Sequence, residues 1–493
     1  MHIPSLIKIN KNKPEPIYLQ VAECLSDAIR NGILPGGLKL PGVKKMAQQT
    51  GLHSRTIEQV YEELDAQGWV TVKPHSGTYI TDKPPVLSAT GKKEVLSAAE
   101  HKATFPFRKI GLPPRQTGYS KEGKKIYDII LNDGQPDIGY MPAVELEKNH
   151  RLLIRKKEHS RLFNKENAWG SFELRKALSR FLNDTRGLNT GTSNLLISKG
   201  NQFSIFLVLS LTMTEQDSIV FAEHNYSGVY SICRYLNLNI ETVKTDQDGI
   251  SLGELGKICK RKKIKAVYIT PHIHYPTCVK LSEERRKQLL QLAEQYNFMI
   301  LEDDYDFDFH YTNAPGFPVA AYDNQKRVVY IGGLNRLISP TLRISYIAGP
   351  EDFLSELAKL KVSIDKFSDS LLEEALALTL KEAVIRRYRN KAVKYYMHKR
   401  DFLLRLLDKN LAGCCTYHAP EGGMAVWIEF NREFPVSDIH RLCMKKGLLL
   451  PERDDLYTYP PESNGIRIGF GNSTKAELSN AIQIIREVIA VVK

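Results

Sequence analysis

The sequence predicts an α/β protein of two parts: a small head of three helices and a β-hairpin, then a large domain on a mostly parallel mixed sheet with flanking helices. Three observations carry this. Apolar residues recur at helical spacing through residues 1–82 and give way to two strand-like runs. From residue 126 to 493, short apolar runs alternate with helical stretches, the mark of strand–helix–strand units. Between these parts, residues 83–125 hold Pro, Gly, Ser and Lys without sustained periodicity and read as a linker.

In the head, Ile17, Val21, Leu25 and Ile29 line one helix face, which Asn31-Gly32 ends. A short helix is predicted over residues 43–50, with Gly51 making the turn. A third helix places Ile57, Val60, Tyr61 and Leu64 on one face and is capped by His53 or Ser54. Runs 69–72 and 78–81 flank a polar, glycine-containing tip and form the hairpin. In the large domain the strand-like runs include 194–198, 218–222, 265–270, 298–303, 328–332 and 344–348, with helical patterns such as 282–296. Residues 353–408 read as nearly continuous helix. Strands at 425–429 and 466–470 then belong to a small C-terminal subdomain.

The 493 residues suffice for more than one core, and 42% hydrophobic with 25% charged residues is a globular profile. No apolar run is long enough to span a membrane, and Met1-His2-Ile3-Pro4-Ser5 shows no signal-peptide pattern. The seven cysteines are scattered without a C-x-x-C pair, so a reducing cytoplasm is expected, with no disulfide framework and no metal site. The net charge of +13 suits a polyanionic partner. Much of the excess falls in or near the linker, at Lys83, Lys92, Lys93, Lys102, Arg108, Lys109, Arg115, Lys121, Lys124 and Lys125. Tethering is read as its main role, with phosphate contacts in addition.

Two short helices joined by a glycine turn present the second one to a major groove. Its free side carries Ser54, Arg55, Glu58 and Gln59. Arg55 has the two-donor geometry for guanine, and Gln59 the donor–acceptor pair for adenine. Lys44, Lys45 and Thr56 are placed for phosphates, and the tip His75-Ser76-Gly77 for the minor groove. A generic helical bundle has the same periodicity. The spacing of Pro16-Ile17-Tyr18, Gly36, Leu38, Leu40-Pro41, Gly51, Thr56, Tyr61, Leu64, Gly68 and Gly77-Thr78-Tyr79 resembles the GntR family of winged helix-turn-helix regulators. Two departures bear on base contacts: Gly42-Val43-Lys44 stands where the family often has Ser-Ser-Arg, and His53-Ser54-Arg55-Thr56 displaces an arginine by one position.

Further along, Ser198-Lys199-Gly200-Asn201-Gln202 joins a strand to an apolar helix, Glu302-Asp303-Asp304-Tyr305-Asp306 follows a strand, and two arginines stand in Thr341-Leu342-Arg343 and Ile466-Arg467-Ile468. In this order, these segments resemble fold-type I aminotransferases, and the whole chain resembles the MocR subgroup of GntR regulators. The resemblance implies pyridoxal phosphate, held non-covalently if at all: Gly200, Asn201, Gln202 and Arg343 toward its phosphate, Asp303 at the pyridine nitrogen, Tyr305 at the ring hydroxyl and Tyr226 stacked on the ring. Arg467 matches the clamp for a substrate carboxylate.

One position breaks the pattern. The Schiff-base lysine of the family falls on Arg336, in Gly332-Gly333-Leu334-Asn335-Arg336. A guanidinium stays protonated and delocalised and forms no ordinary imine. Ile273 and His274 also replace a polar pair of the family, and His224-Asn225 replaces Pro-Gly before Tyr226. Lys199 is the nearest motif lysine that stands in reserve. The expectation is a cytoplasmic, homodimeric regulator of double-stranded DNA, its large domain sensing a small anionic effector or amino acid without transaminase turnover. The alternatives are a working aminotransferase with an accessory head, and a DNA-binding scaffold with an empty pocket.

Overall fold

The computed structural model describes residues 3–10, 14–74, 76–82, 85, 105–106, 118–120, 123–155, 167–312, 316–339, 341–366, 368–381, 383–451 and 464–492. The chain divides into two compact units, Met1–Lys109 and Ile110–Lys493, a boundary inside the stretch read as linker. Most of that stretch, Lys83, Lys92, Lys93, Lys102, Arg108, Lys109, Arg115 and Lys121 among it, lies outside the described residues.

The head consists of α1 (Ile17–Arg30), α2 (Val43–Thr50), α3 (Ser54–Ala66) and a hairpin of β1 (Val70–Lys73) and β2 (Gly77–Ile80). The predicted apolar faces meet: Val21, Leu25 and Ile29 pack with Met46, Ile57, Val60, Tyr61, Leu64, Trp69 and Ile80 in one core. Gly51 ends α2 at φ +68, the left-handed conformation that glycine adopts without penalty. The cap of α3 falls to His53, whose Nδ1 accepts the Arg55 amide at 3.2 Å. The Tyr61 hydroxyl donates to the Pro41 carbonyl at 2.6 Å and ties the entry of α2 to α3. In the hairpin, Val70 lies opposite Ile80 and Lys73 opposite Gly77. Gly77 has φ +116, and a Cβ there would come within 2.9 Å of Lys39 Cε.

The large domain opens with β3 (Ile129–Ile130). Its main sheet is built from β4 (Leu195–Ser198), β5 (Ser218–Ala222) and β6 (Asn239–Val243), then, after a small hairpin of β7 (Thr245–Asp246) and β8 (Gly249–Ile250), from β9 (Ala266–Ile269), β10 (Met299–Asp304), β11 (Val328–Gly333) and β12 (Ser345–Ala348). The order is β4-β12-β11-β10-β9-β5-β6, and β12 alone runs against the rest. Helices cover both faces, and Leu195, Leu196, Val220, Val267, Ile300 and Leu301 are wholly buried, as in a parallel sheet wrapped on both sides. The C-terminal subdomain holds β13 (Cys415–Tyr417), β14 (Ala425–Phe430) and β16 (Gly465–Gly469) in one antiparallel sheet, while β15 (Leu448–Leu449) pairs with β3.

One expectation needs correction, and one strand went unread. The nearly continuous helix over 353–408 is three helices, Glu351–Ile364, Ser370–Thr379 and Ala383–Leu411. The Asp369 carboxylate accepts the Leu372 amide at 3.0 Å, so a new helix starts where periodicity suggested continuation. Strand β6, with Asn239, Glu241 and Thr242 at the sheet edge, is too polar to register as an apolar run.

The carboxyl ends of β4, β9, β10 and β11 converge, where ligands of such sheets bind. A buried ion pair braces this rim. Arg186, at the end of the helix Phe172–Arg186, donates to Asp308 at 2.7 Å and to the Tyr330 hydroxyl at 3.1 Å, and Tyr330 in turn donates to Asp304.

Candidate functional site

On the head, Lys44, Lys45, Arg55, Glu58, Gln59 and Gly77 are exposed, and Ser54 and Thr56 are half-buried. Arg55 and Gln59 are four residues apart and share one face of α3; Ile57, Val60, Tyr61 and Leu64 hold its other side in the core. His75 lies outside the described residues. Sequence reasoning missed a cationic cluster on the wing: the Lys39 and Lys73 ammonium groups stand 5.5 and 4.9 Å from the Tyr79 ring centroid. A hydrogen bond with Ser76 at 2.9 Å, aided by the two lysines, holds the Tyr79 phenol below its usual range.

In the large domain, Gly200 caps the helix Asn201–Thr212 at φ +82. The Arg343 guanidinium lies 3.5 Å from where a Cβ of Gly200 would stand, so a helix start and a cation form one cradle. Asn201 Nδ2 donates to Asp303 Oδ1 at 2.6 Å, and the Tyr268 hydroxyl donates to Asp303 Oδ2 at 2.8 Å. Burial pushes the Asp303 carboxyl up, while these two hydrogen bonds and the Arg336 charge pull it back. Gln202 and Tyr226 crowd Gly228. Tyr226 meets Tyr275 edge-on at 5.4 Å, Tyr275 meets Tyr305 at 6.1 Å, and the Tyr305 hydroxyl donates to the Ile273 carbonyl at 2.9 Å.

Arg336 extends over the Tyr305 ring at 5.1 Å, donates to the Gly134 carbonyl at 2.6 Å and pairs with Asp306 at 3.2 Å. Burial opposes its charge, but Asp306 and Asp133 outweigh burial and hold its pKa above the ordinary value. Burial also lifts Asp306 to about 6, against the pull of Arg336 and Arg467. Arg467 is wholly buried. Its Nε donates to the Asp133 carbonyl at 3.0 Å, and its Nη1 to the Pro276 carbonyl at 3.0 Å and to Cys278 Sγ at 2.9 Å; Nη2 has no acceptor among the described residues. Burial holds His224 at about 4, and burial with His224 and Arg467 holds His274 at about 3, so both are neutral near pH 7. Lys199 pairs with Asp365 at 2.8 Å.

The structure thus gathers Asn201, Tyr226, Asp303, Tyr305, Arg336 and Arg467 at one place, with Gly200 and Arg343 at its edge. Sequence reasoning missed Asp133 and Gly134, which reach the pocket from far along the chain, and gave no role to Tyr268 or Asp306. An acidic residue before a glycine was the only signal at Asp133.

A helix-turn-helix head, followed along the chain by a doubly wrapped sheet with arginines at the strand ends, defines a DNA-binding domain joined to a domain of the aminotransferase type. Residues 17–80 match the bacterial regulatory proteins of the gntR family, and residues 129–485 match aminotransferase class I and II. The chain belongs to the aminotransferase class I and II family. Similar curated proteins are the HTH-type transcriptional regulator YdeL of Bacillus subtilis strain 168, 23% identical over 479 residues covering 97% of this chain and 98% of that one, and the HTH-type transcriptional regulator NorG of Staphylococcus aureus strain USA300, 25% identical over 451 residues covering 90% and 98%. Among solved structures, an archaeal alanine:glyoxylate aminotransferase superposes with a TM-score of 0.69 at 25% identity, covering 74% of this chain and 91% of that one. A Pyrococcus horikoshii kynurenine aminotransferase does so with a TM-score of 0.69 at 22% identity, with the same coverage. Among the described residues, no helix is long and apolar enough to cross a membrane, and no cluster of His, Cys, Asp and Glu is placed to hold a metal.

This fold implies pyridoxal phosphate, and the residues fit it at one end only. The Gly200–Arg343 cradle suits a phosphate. The Asp303 carboxylate already has a donor on each oxygen, and the cation nearest to Tyr305 is a guanidinium rather than an amine. At the ring end, a cofactor N–H would therefore have to share or displace a donor already on Asp303.

Proposed function

We propose that this protein is a cytoplasmic transcription regulator of the MocR type, whose head binds duplex DNA and whose large domain senses a small carboxylate-bearing anion without transaminase turnover. The head carries the reading: Arg55 and Gln59 stand on a solvent face of α3, backed by a packed core, in a segment that matches the gntR family. Lys44, Lys45 and the wing lysines supply phosphate contacts. The large domain pairs two chains, which brings two heads to paired half-sites.

Arg336 takes the place of the family's Schiff-base lysine, and its fixed, charged guanidinium neither attacks a carbonyl nor shuttles a proton. Arg467 offers Nη2 to an effector carboxylate. Effector binding shifts the heads only through different affinities for two states of the dimer.

The test is a mobility-shift titration of the full-length protein on promoter fragments, beside a turnover assay with amino acids, keto acids and added pyridoxal phosphate. Specific complexes are expected, weakened about 10- to 100-fold by Arg55→Ala. Failure to bind any promoter, or substantial turnover, overturns the reading.

A further inference from the structure

At the ring end of the site, Asp303 is hydrogen-bonded from within the chain. Asn201 is the first residue of its helix, so its side chain starts from a fixed point beside the Gly200 turn. Its carboxamide reaches Asp303 Oδ1 at 2.6 Å, and Tyr268 takes Oδ2 at 2.8 Å. A protonated pyridine nitrogen would bring a planar N–H donor to one oxygen of this carboxylate, and the Asn201 amide is a planar N–H donor on that carboxylate. The other end of the amide is hemmed in as well. A Cβ on Gly333 would lie 2.7 Å from Asn201 Oδ1 and 2.7 Å from Asn335 Oδ1, so two amides occupy the space that a side chain there would need.

We propose that Asn201 takes the place of a cofactor's ring nitrogen, and that the large domain is a receptor that works without pyridoxal phosphate. A ring N–H entering here would share or displace the Oδ1 position that the Asn201 amide holds, and a displaced, half-buried amide would have to find another acceptor. Nothing covalent offsets that loss, because Arg336 brings a guanidinium held by Asp306 and Gly134. The proposal rests on the sensing role assigned to this domain; its test needs no DNA, so its failure and the failure of DNA recognition are told apart.

The experiment titrates purified full-length protein with pyridoxal phosphate and follows the visible absorbance of the ring. The unaltered protein is expected to show no saturable binding. Asn201→Ala is expected to bind saturably, with a Kd at least about tenfold below the highest concentration at which the parent shows no saturation. Combining Asn201→Ala with Arg336→Lys is expected to give a band that borohydride fixes to position 336, located by peptide mass spectrometry. Should Asn201→Ala melt early, Asn201→Ser carries the same expectation with a shorter side chain at the helix start. Saturable binding by the parent protein, or variants that bind no better than it, overturns the proposal.

Discussion

The head and the large domain put arginine in opposite surroundings. Arg55 is exposed on α3 and makes no ion pair among the described residues. Arg336 keeps 11% of its side chain exposed and Arg467 none of its surface, and both are held by carbonyls, carboxylates or a thiol of their own chain. An exposed guanidinium is free to meet a large polyanion, at a strength that salt weakens. A buried one is held in a fixed direction by its partners and costs desolvation. The same side chain therefore stands free on a surface in one region and tied into its own chain in the other.

The comparison is sharpened first by cutting the buried ion pair that braces the sheet rim. Arg186→Met leaves Asp304 and Asp308 buried without their cation, and is expected to cost the large domain about 3–5 kcal/mol in denaturant unfolding, with amide exchange in the head unchanged. The converse cut is Leu64→Ala, at a wholly buried position of the small core. A loss of about 3 kcal/mol there is expected to speed amide exchange throughout the head and abolish DNA binding, while the large domain melts as before.

A third contrast is acid sensitivity. The unfolded chain protonates His224 near 6.5 and the folded one only near 4. Between those values the unfolded state holds a proton that the folded state lacks, so stability falls as pH falls across the window, by up to about 3 kcal/mol from this residue. His224→Gln is expected to flatten that part of the pH–stability curve of the large domain. The smallest effect belongs to the surface: Lys44→Ala is expected to weaken all DNA sequences alike and to lower the salt slope of binding by about one unit.

What the sequence revealed follows the same divide. Periodicity placed α1 and α3 and the β5 run 218–222, because each buries a regular face or both faces. Motif order placed Asp303, Tyr305, Arg343 and Arg467 near one another, because short segments at strand ends carry recognisable residue types. The resemblance implied a phosphate turn at Asn201 and not a partner of Asp303, a contact across 102 positions that no local pattern encodes. The ion pair of Arg336 with Asp306 and the carbonyl of Gly134 was hidden for the same reason. The break between helices at 365–369 escaped notice because an aspartate cap looks like one more polar position in a long amphipathic stretch.

The bond from Arg467 to the Asp133 carbonyl spans 334 positions, and that from Arg336 to the Gly134 carbonyl spans 202. The head closes on contacts within its own short stretch, the 20 positions between Pro41 and Tyr61 among them. On the ribosome, the head can therefore fold while most of the chain is still unmade, whereas the pocket is completed only after β16 has emerged. A nascent or truncated chain would carry the helix-turn-helix fold before it carries the gathered arginines of the large domain.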